Sequence, residues 1–191
     1  MKPQLGRTLI FSLVLAFTIA IAQKGRAQHA TGTTEAHAHH ELALLLAHTH
    51  LSHGVDMDGD RQWTVLPCWG LNYNYWLSPH WAIGVHTDFI TETFEVEENL
   101  HGGGEHPTVE RTRPVAPALM ASYRPHQHWS FLFGAGAEFA QEGDLFLMRG
   151  GAEYTIHLGG SWETAGSIAY DARLDAYDSF TVGIGIARMF R

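Results

Sequence analysis

Histidine is the residue with the most chemical potential in this chain, which carries 14 of them. Six lie between His37 and His53: His37, His39, His40, His48, His50 and His53. Neutral imidazoles ligate Zn²⁺, Cu²⁺ or Ni²⁺. The run His37-Ala38-His39-His40 could begin such a site, and His48 and His50, two apart, would share one face of a strand. The simpler reading is a solvated polar lead with no selected ligand. Asp56-Met57-Asp58-Gly59-Asp60 has the alternating carboxylates of a calcium loop. It lacks the closing Glu and flanking helices of an EF-hand, so an acidic solvated loop is the preferred reading. His128, Ser130 and Glu138 share strand parity and are the types a lipid hydrolase would use. At strand rise, however, Glu138 would stand roughly 27 Å beyond Ser130, too far to orient His128. No catalytic residue is assigned on this basis.

The elements that would position these residues begin with an export signal. Lys2 and Arg7 precede the uncharged stretch Thr8 to Ala22, too short for a comfortable bilayer span but of signal-peptide length. Ala20-Ile21-Ala22 places small residues where a signal peptidase reads, with a second site near Ala27. The expected organisation is therefore a signal peptide at 1–22, a His-rich disordered lead at 23–40 and a barrel at 41–191. Without residues 1–22, 10 basic residues face 20 acidic ones, a net charge near −10. Such a balance opposes nucleic-acid binding. Cys68 is the sole cysteine, which excludes an intrachain disulfide and multi-cysteine zinc sites.

Beyond Glu41 the pattern alternates with period two, as a sheet with one wet and one apolar face requires. Strands are expected near 41–52, 62–77, 81–97, 109–124, 128–141, 144–158, 162–173 and 177–190. Trp129, Phe131, Phe133, Ala135, Ala137 and Phe139 fall on one face; Ser130, Gly134, Gly136 and Glu138 fall on the other. Phe180, Val182, Ile184, Ile186 and Phe190 likewise oppose Thr181, Gly183, Gly185 and Ala187. Strand three adds His86, Asp88 and Glu92 to the polar face. Turn-forming Ser78-Pro79-His80, Pro125-His126-Gln127 and Gly159-Gly160-Ser161 alternate with longer, more polar connections at His53–Arg61 and Asn99–Thr108. A shorter connection follows Gln141, and another lies around Leu174–Asp178. Trp81, Trp129 and Trp162 each open the strand after a tight turn, where a membrane-interface girdle would lie.

On the Trp81/Trp129/Trp162 pattern and the closing strand Phe180 to Arg191, the chain from about Glu41 resembles the small outer-membrane β-barrel families of Gram-negative bacteria, with a likeness to Bacteroidota members. Such families close on a terminal aromatic; here Phe190 is penultimate. The resemblance implies an eight-stranded antiparallel up-and-down transmembrane barrel, handled by the barrel-assembly machinery, surrounded by outer-membrane lipid and with both barrel termini periplasmic. Its implied role is structural, surface-interacting or minor transport, without catalysis or a required cofactor. Three alternatives stand beside it: a metal-binding surface protein, a lipid-modifying enzyme, and a soluble lipocalin-like carrier with its apolar face inward.

Overall fold

The computed structural model describes residues 40–55, 61–97, 108–174 and 176–191, all within a unit spanning His37–Arg191. The expected signal peptide, the lead through residue 39 with His37 and His39, the Asp56–Asp60 loop and most of the Asn99–Thr108 connection lie outside the described residues.

Ten strands form. They are β1 (His40–Val55), β2 (Arg61–Trp76), β3 (Trp81–Ile90), β4 (Thr93–Glu97), β5 (Thr108–Thr112), β6 (Val115–Tyr123), β7 (Trp129–Ala140), β8 (Gly143–Gly159), β9 (Trp162–Arg173) and β10 (Ser179–Phe190). Eight close into a barrel in the order β1-β2-β3-β6-β7-β8-β9-β10, and β10 returns to β1. All pairs are antiparallel, and the seam runs from His40 opposite Phe190 to Leu51 opposite Ser179. Closure leaves no open seam around the wall, the condition for a sheet to cross hydrocarbon.

The side-chain alternation resolves as expected on the wall. Leu42, Leu44 and Leu46 project outward from β1, while Glu41, Ala43, Leu45 and Ala47 are buried inside. Phe133 and Ile184 are 38% and 64% exposed and lie on the outer surface. Ser130, Glu138, Arg149, Asp171 and Arg173 are buried within. A soluble carrier would need the opposite arrangement, so the lipocalin-like alternative fails on orientation. The interior is not purely polar: Met120, Leu132 and Leu147 pack there with Ala116 and Ala118.

The tight turns collect at one end. Gly159 and Gly160 take φ values of 111° and 60°, which a side chain would resist. Ser78 Oγ accepts from the backbone N–H groups of His80 and Trp81, bracing the β2–β3 turn.

The sequence expectation fails in one place. Continuous strands over 81–97 and 109–124 are replaced by wall strands β3 and β6 plus a separate two-stranded sheet, β4–β5. Pro114 explains one break, because its ring constrains the residue before it and it offers no N–H to the ladder. Arg113 there adopts φ 43°. On the other side the chain bends at Thr91 and Glu92, so Glu92 is exposed rather than lining the interior. The hairpin turns into the barrel mouth. Phe94 and Val96 join Leu51, Leu66, Cys68 and Ile90 of the wall, and Ala176 and Tyr177 of the β9–β10 connection, in one buried apolar cluster.

Candidate functional site

Glu138 is the centre of the mouth. It lies on the inward face of β7, near the end of the strand, and is fully buried. Its Oε1 accepts from Arg111 Nε at 3.0 Å and Nη2 at 2.7 Å. Its Oε2 accepts from Arg173 Nε at 2.7 Å, and the Tyr177 hydroxyl lies 2.7 and 2.6 Å from the two oxygens. Thus one carboxylate ties together the hairpin (Arg111), the wall strand β9 (Arg173) and the β9–β10 connection (Tyr177). Arg111 Nη1 also donates to the Gly143 carbonyl at 2.8 Å, and Arg173 Nη1 to Ser179 Oγ at 2.9 Å. The Arg173 guanidinium stacks over the Tyr177 ring, 4.3 Å from its centroid. Burial keeps the Tyr177 phenol protonated far above its ordinary pKa, so it donates to Glu138.

Below this layer, Arg149 donates to both Asp171 oxygens at 2.6 and 2.7 Å and pairs with Asp88 at 2.7 Å. Beneath it a cavity of about 30 Å³ is bordered by His86, Asn72 and Glu153 among others. That volume is on the scale of one water. At the turn end, Glu41 accepts from Asn74 Nδ2 at 3.0 Å and Trp76 Nε1 at 2.8 Å. Arg124 reaches Glu41 at 3.7 Å and donates to Ser130 Oγ at 3.0 Å. Its guanidinium lies over the Trp76 ring at 4.2 Å. The lumen holds a stack of ion pairs.

The outside carries the complementary pattern. Trp81 packs on Tyr123 with ring centroids 4.6 Å apart, and Trp129 on Tyr154 at 5.1 Å, both at the turn end. Trp63 meets Phe180 at 5.3 Å near the other rim. Arg188 has apolar parity but sits at the turn-end rim, its guanidinium 5.3 Å from the Trp162 ring centroid. An aromatic belt bounds an apolar band, as expected where hydrocarbon meets water.

The histidines singled out from the sequence do not converge within the described residues. His40 lies at the turn-end rim, bonded through Nδ1 to Tyr73 Oη at 2.8 Å and stacked on Phe190. His50 stacks on Phe180 with centroids 4.3 Å apart, ten residues along the same strand. Roughly 33 Å of strand separates the two at strand rise. His48 projects outward. No group of three or more His, Cys, Asp or Glu among the described residues could hold a metal ion.

The hydrolase set is also dispersed. Ser130 is engaged by Arg124. His128 donates from Nδ1 to the Thr155 carbonyl at 2.9 Å. Glu138 belongs to the mouth at the other end of β7. No nucleophile–base pair forms from these three.

The described residues form a closed eight-stranded antiparallel β-barrel with an apolar outer wall and an ion-paired interior. Solved structures share this architecture at low identity. The crystal structure of the outer membrane protein OprG from Pseudomonas aeruginosa is 12% identical, with a TM-score of 0.55 over 81% of this chain and 97% of that one. Ail, the attachment invasion locus protein of Yersinia pestis, is 14% identical with a TM-score of 0.47, over 81% and 99% of the two chains. Neisserial surface protein A is 10% identical with a TM-score of 0.45, over 79% and 97%. The likeness to OprG is one of fold. No protein-family model matches the chain, and no curated protein matches it in sequence.

Proposed function

We propose that this chain is an integral protein of a bacterial outer membrane, acting through its outer surface and loops rather than through its lumen. A structural or surface-interaction role follows. The carrying observation is the inverted distribution of polarity: large apolar side chains cover the outer wall while ion pairs fill the centre. In water such a wall would be an aggregation surface. In a bilayer it is the expected exterior, because a Lys or Arg there costs about 2–4 kcal/mol at the midplane. The short turns support a periplasmic location for the end that carries His40 and Phe190, with the hairpin-plugged mouth facing outward. Outer-membrane lipid and the assembly machinery are the partners this reading requires.

The test is electrophoretic mobility of the purified protein in SDS, heated against unheated. A detergent-resistant barrel migrates differently before boiling. Identical mobility, together with recovery from the soluble periplasmic fraction without detergent, contradicts the proposal.

A further inference from the structure

The turn end gathers imidazoles that stand apart from the Arg–carboxylate pairs of the lumen. His80 and His126 line an open groove of about 470 Å³ with Arg124 and His128. His157, near the end of β8, has its ring centroid 6.4 Å from that of His128.

The chemistry of their partners fixes the tautomers. His128 Nδ1 lies 2.9 Å from the Thr155 carbonyl oxygen, which only accepts, so Nδ1 carries the proton. The Thr155 N–H in turn donates to the His128 carbonyl at 2.7 Å, which pins the residue. His157 Nδ1 lies 2.8 Å from Glu163 Oε1, and an ionised carboxylate likewise only accepts. In its neutral form each ring then presents its lone pair at Nε2. An imidazole held at Nδ1 by a carbonyl or carboxylate, with Nε2 presented, is the arrangement of a metal-ligating histidine with its orienting partner.

We infer that His128 and His157 form a two-imidazole site for a divalent transition-metal ion of the Zn²⁺, Cu²⁺ and Ni²⁺ class, with Glu163 as a positioning residue. Metal–nitrogen bonds of about 2.0–2.1 Å place two ring centroids roughly 5–6.5 Å apart, depending on the ligand angle. The 6.4 Å separation lies at the open end of that range. That limit is a linear N–metal–N arrangement; a tetrahedral ion brings the centroids to about 5 Å, and His157, 52% exposed, has room for the shift of roughly 1 Å that this takes. His128 is exposed as well, so water completes the coordination. Arg124 borders the groove but turns its guanidinium inward to Glu41 and Ser130, away from a bound cation. Imidazole rather than carboxylate ligation selects this class over Mg²⁺ or Ca²⁺.

The test is calorimetric titration of Zn²⁺ into the full chain in detergent micelles, with His29, His37, His39 and His40 all replaced by Ala to silence the lead. The inference expects one ion bound by that variant. Adding His128→Ala or His157→Ala should weaken binding at least tenfold, and Glu163→Gln by about 10–100-fold. If the lead variant binds no Zn²⁺, or if neither histidine substitution changes its binding, the inference is overturned. Cu²⁺ electron paramagnetic resonance on the same lead variant guards against substitutions that fail to fold. Hyperfine coupling to two imidazole nitrogens supports the site, and an oxygen-only or single-nitrogen spectrum overturns it.

Discussion

Glu138 concentrates more dependence on one side chain than any other described residue in the mouth. Its two oxygens satisfy Arg111, Arg173 and Tyr177 in a space with no solvent access. Removing the carboxylate leaves two buried guanidinium groups without their principal counter-charge, although Arg173 keeps a longer approach of 3.7 Å to Asp171. Breaking a buried pair this way costs about 3–5 kcal/mol. Glu138→Ala should lower the unfolding free energy by that order in a urea titration of the micelle- or bilayer-embedded protein. A change within about 0.5 kcal/mol would mean that the mouth is held by apolar packing alone. The inward position of Glu138 was legible in the sequence, because its parity follows from Phe133, Phe139 and their neighbours. Its partners were not. Arg111, Arg173 and Tyr177 lie 27, 35 and 39 residues away, and no local pattern announces which carboxylate a distant cation will meet. His157 was overlooked as a ligand for the same reason: its partner at the turn end, His128, is 29 positions earlier in sequence but adjacent in space.

At the scale of elements, the eight wall strands and their faces follow from period-two alternation, and the tight turns from Pro and Gly. The inward hairpin does not. Phe94 and Val96 alternate with Glu95 as a wall strand would, but on the parity of His86 and Asp88 rather than that of Ile83, Val85 and Phe89, a change of phase that marks where the chain leaves the barrel. Pro114 was the second signal, on the returning side. The hairpin is fastened at its foot as well as its core. Thr112 donates from its hydroxyl to Glu142 Oε1 at 2.6 Å and from its N–H to Oε2 at 3.2 Å. The Thr112 hydroxyl holds the Glu142 carboxyl below its usual pKa, so this link persists above the ordinary carboxylate range and is lost as pH falls through the lowered value. Docking of β4–β5 sets Phe94, Val96 and Arg111 into the mouth. Arg111→Ala removes the hairpin's donors to Glu138 and to the Gly143 carbonyl together. Single-channel recording in planar bilayers should then show openings at least tenfold more frequent than in the unaltered protein. Equal, near-silent traces would place the seal lower, at the Arg149, Asp88 and Asp171 layer.

At the scale of the molecule, polarity is sorted radially. Ion pairs and hydrogen bonds occupy the axis, small and apolar residues pack between them, and Leu, Ile, Val, Phe and aromatic belts form the outside. Closeness of neighbouring strands sets a further limit. A Cβ on Gly134 would overlap the Leu119 carbonyl oxygen, which explains why this inward position is glycine. The radial order was readable in the sequence because alternation assigns every strand residue to one of two faces. The sign of that order needed the girdle tryptophans and the charges to decide it. It is tested most directly by collision accessibility of spin labels, with Cys68→Ala as background and single cysteines introduced at Phe133, Ile184 and, on the opposite face, Ser167. In lipid bilayers the labels at 133 and 184 should respond strongly to oxygen and hardly at all to a water-soluble nickel chelate. Labels at 133 and 184 that are relaxed by the aqueous reagent and shielded from oxygen would contradict the radial order.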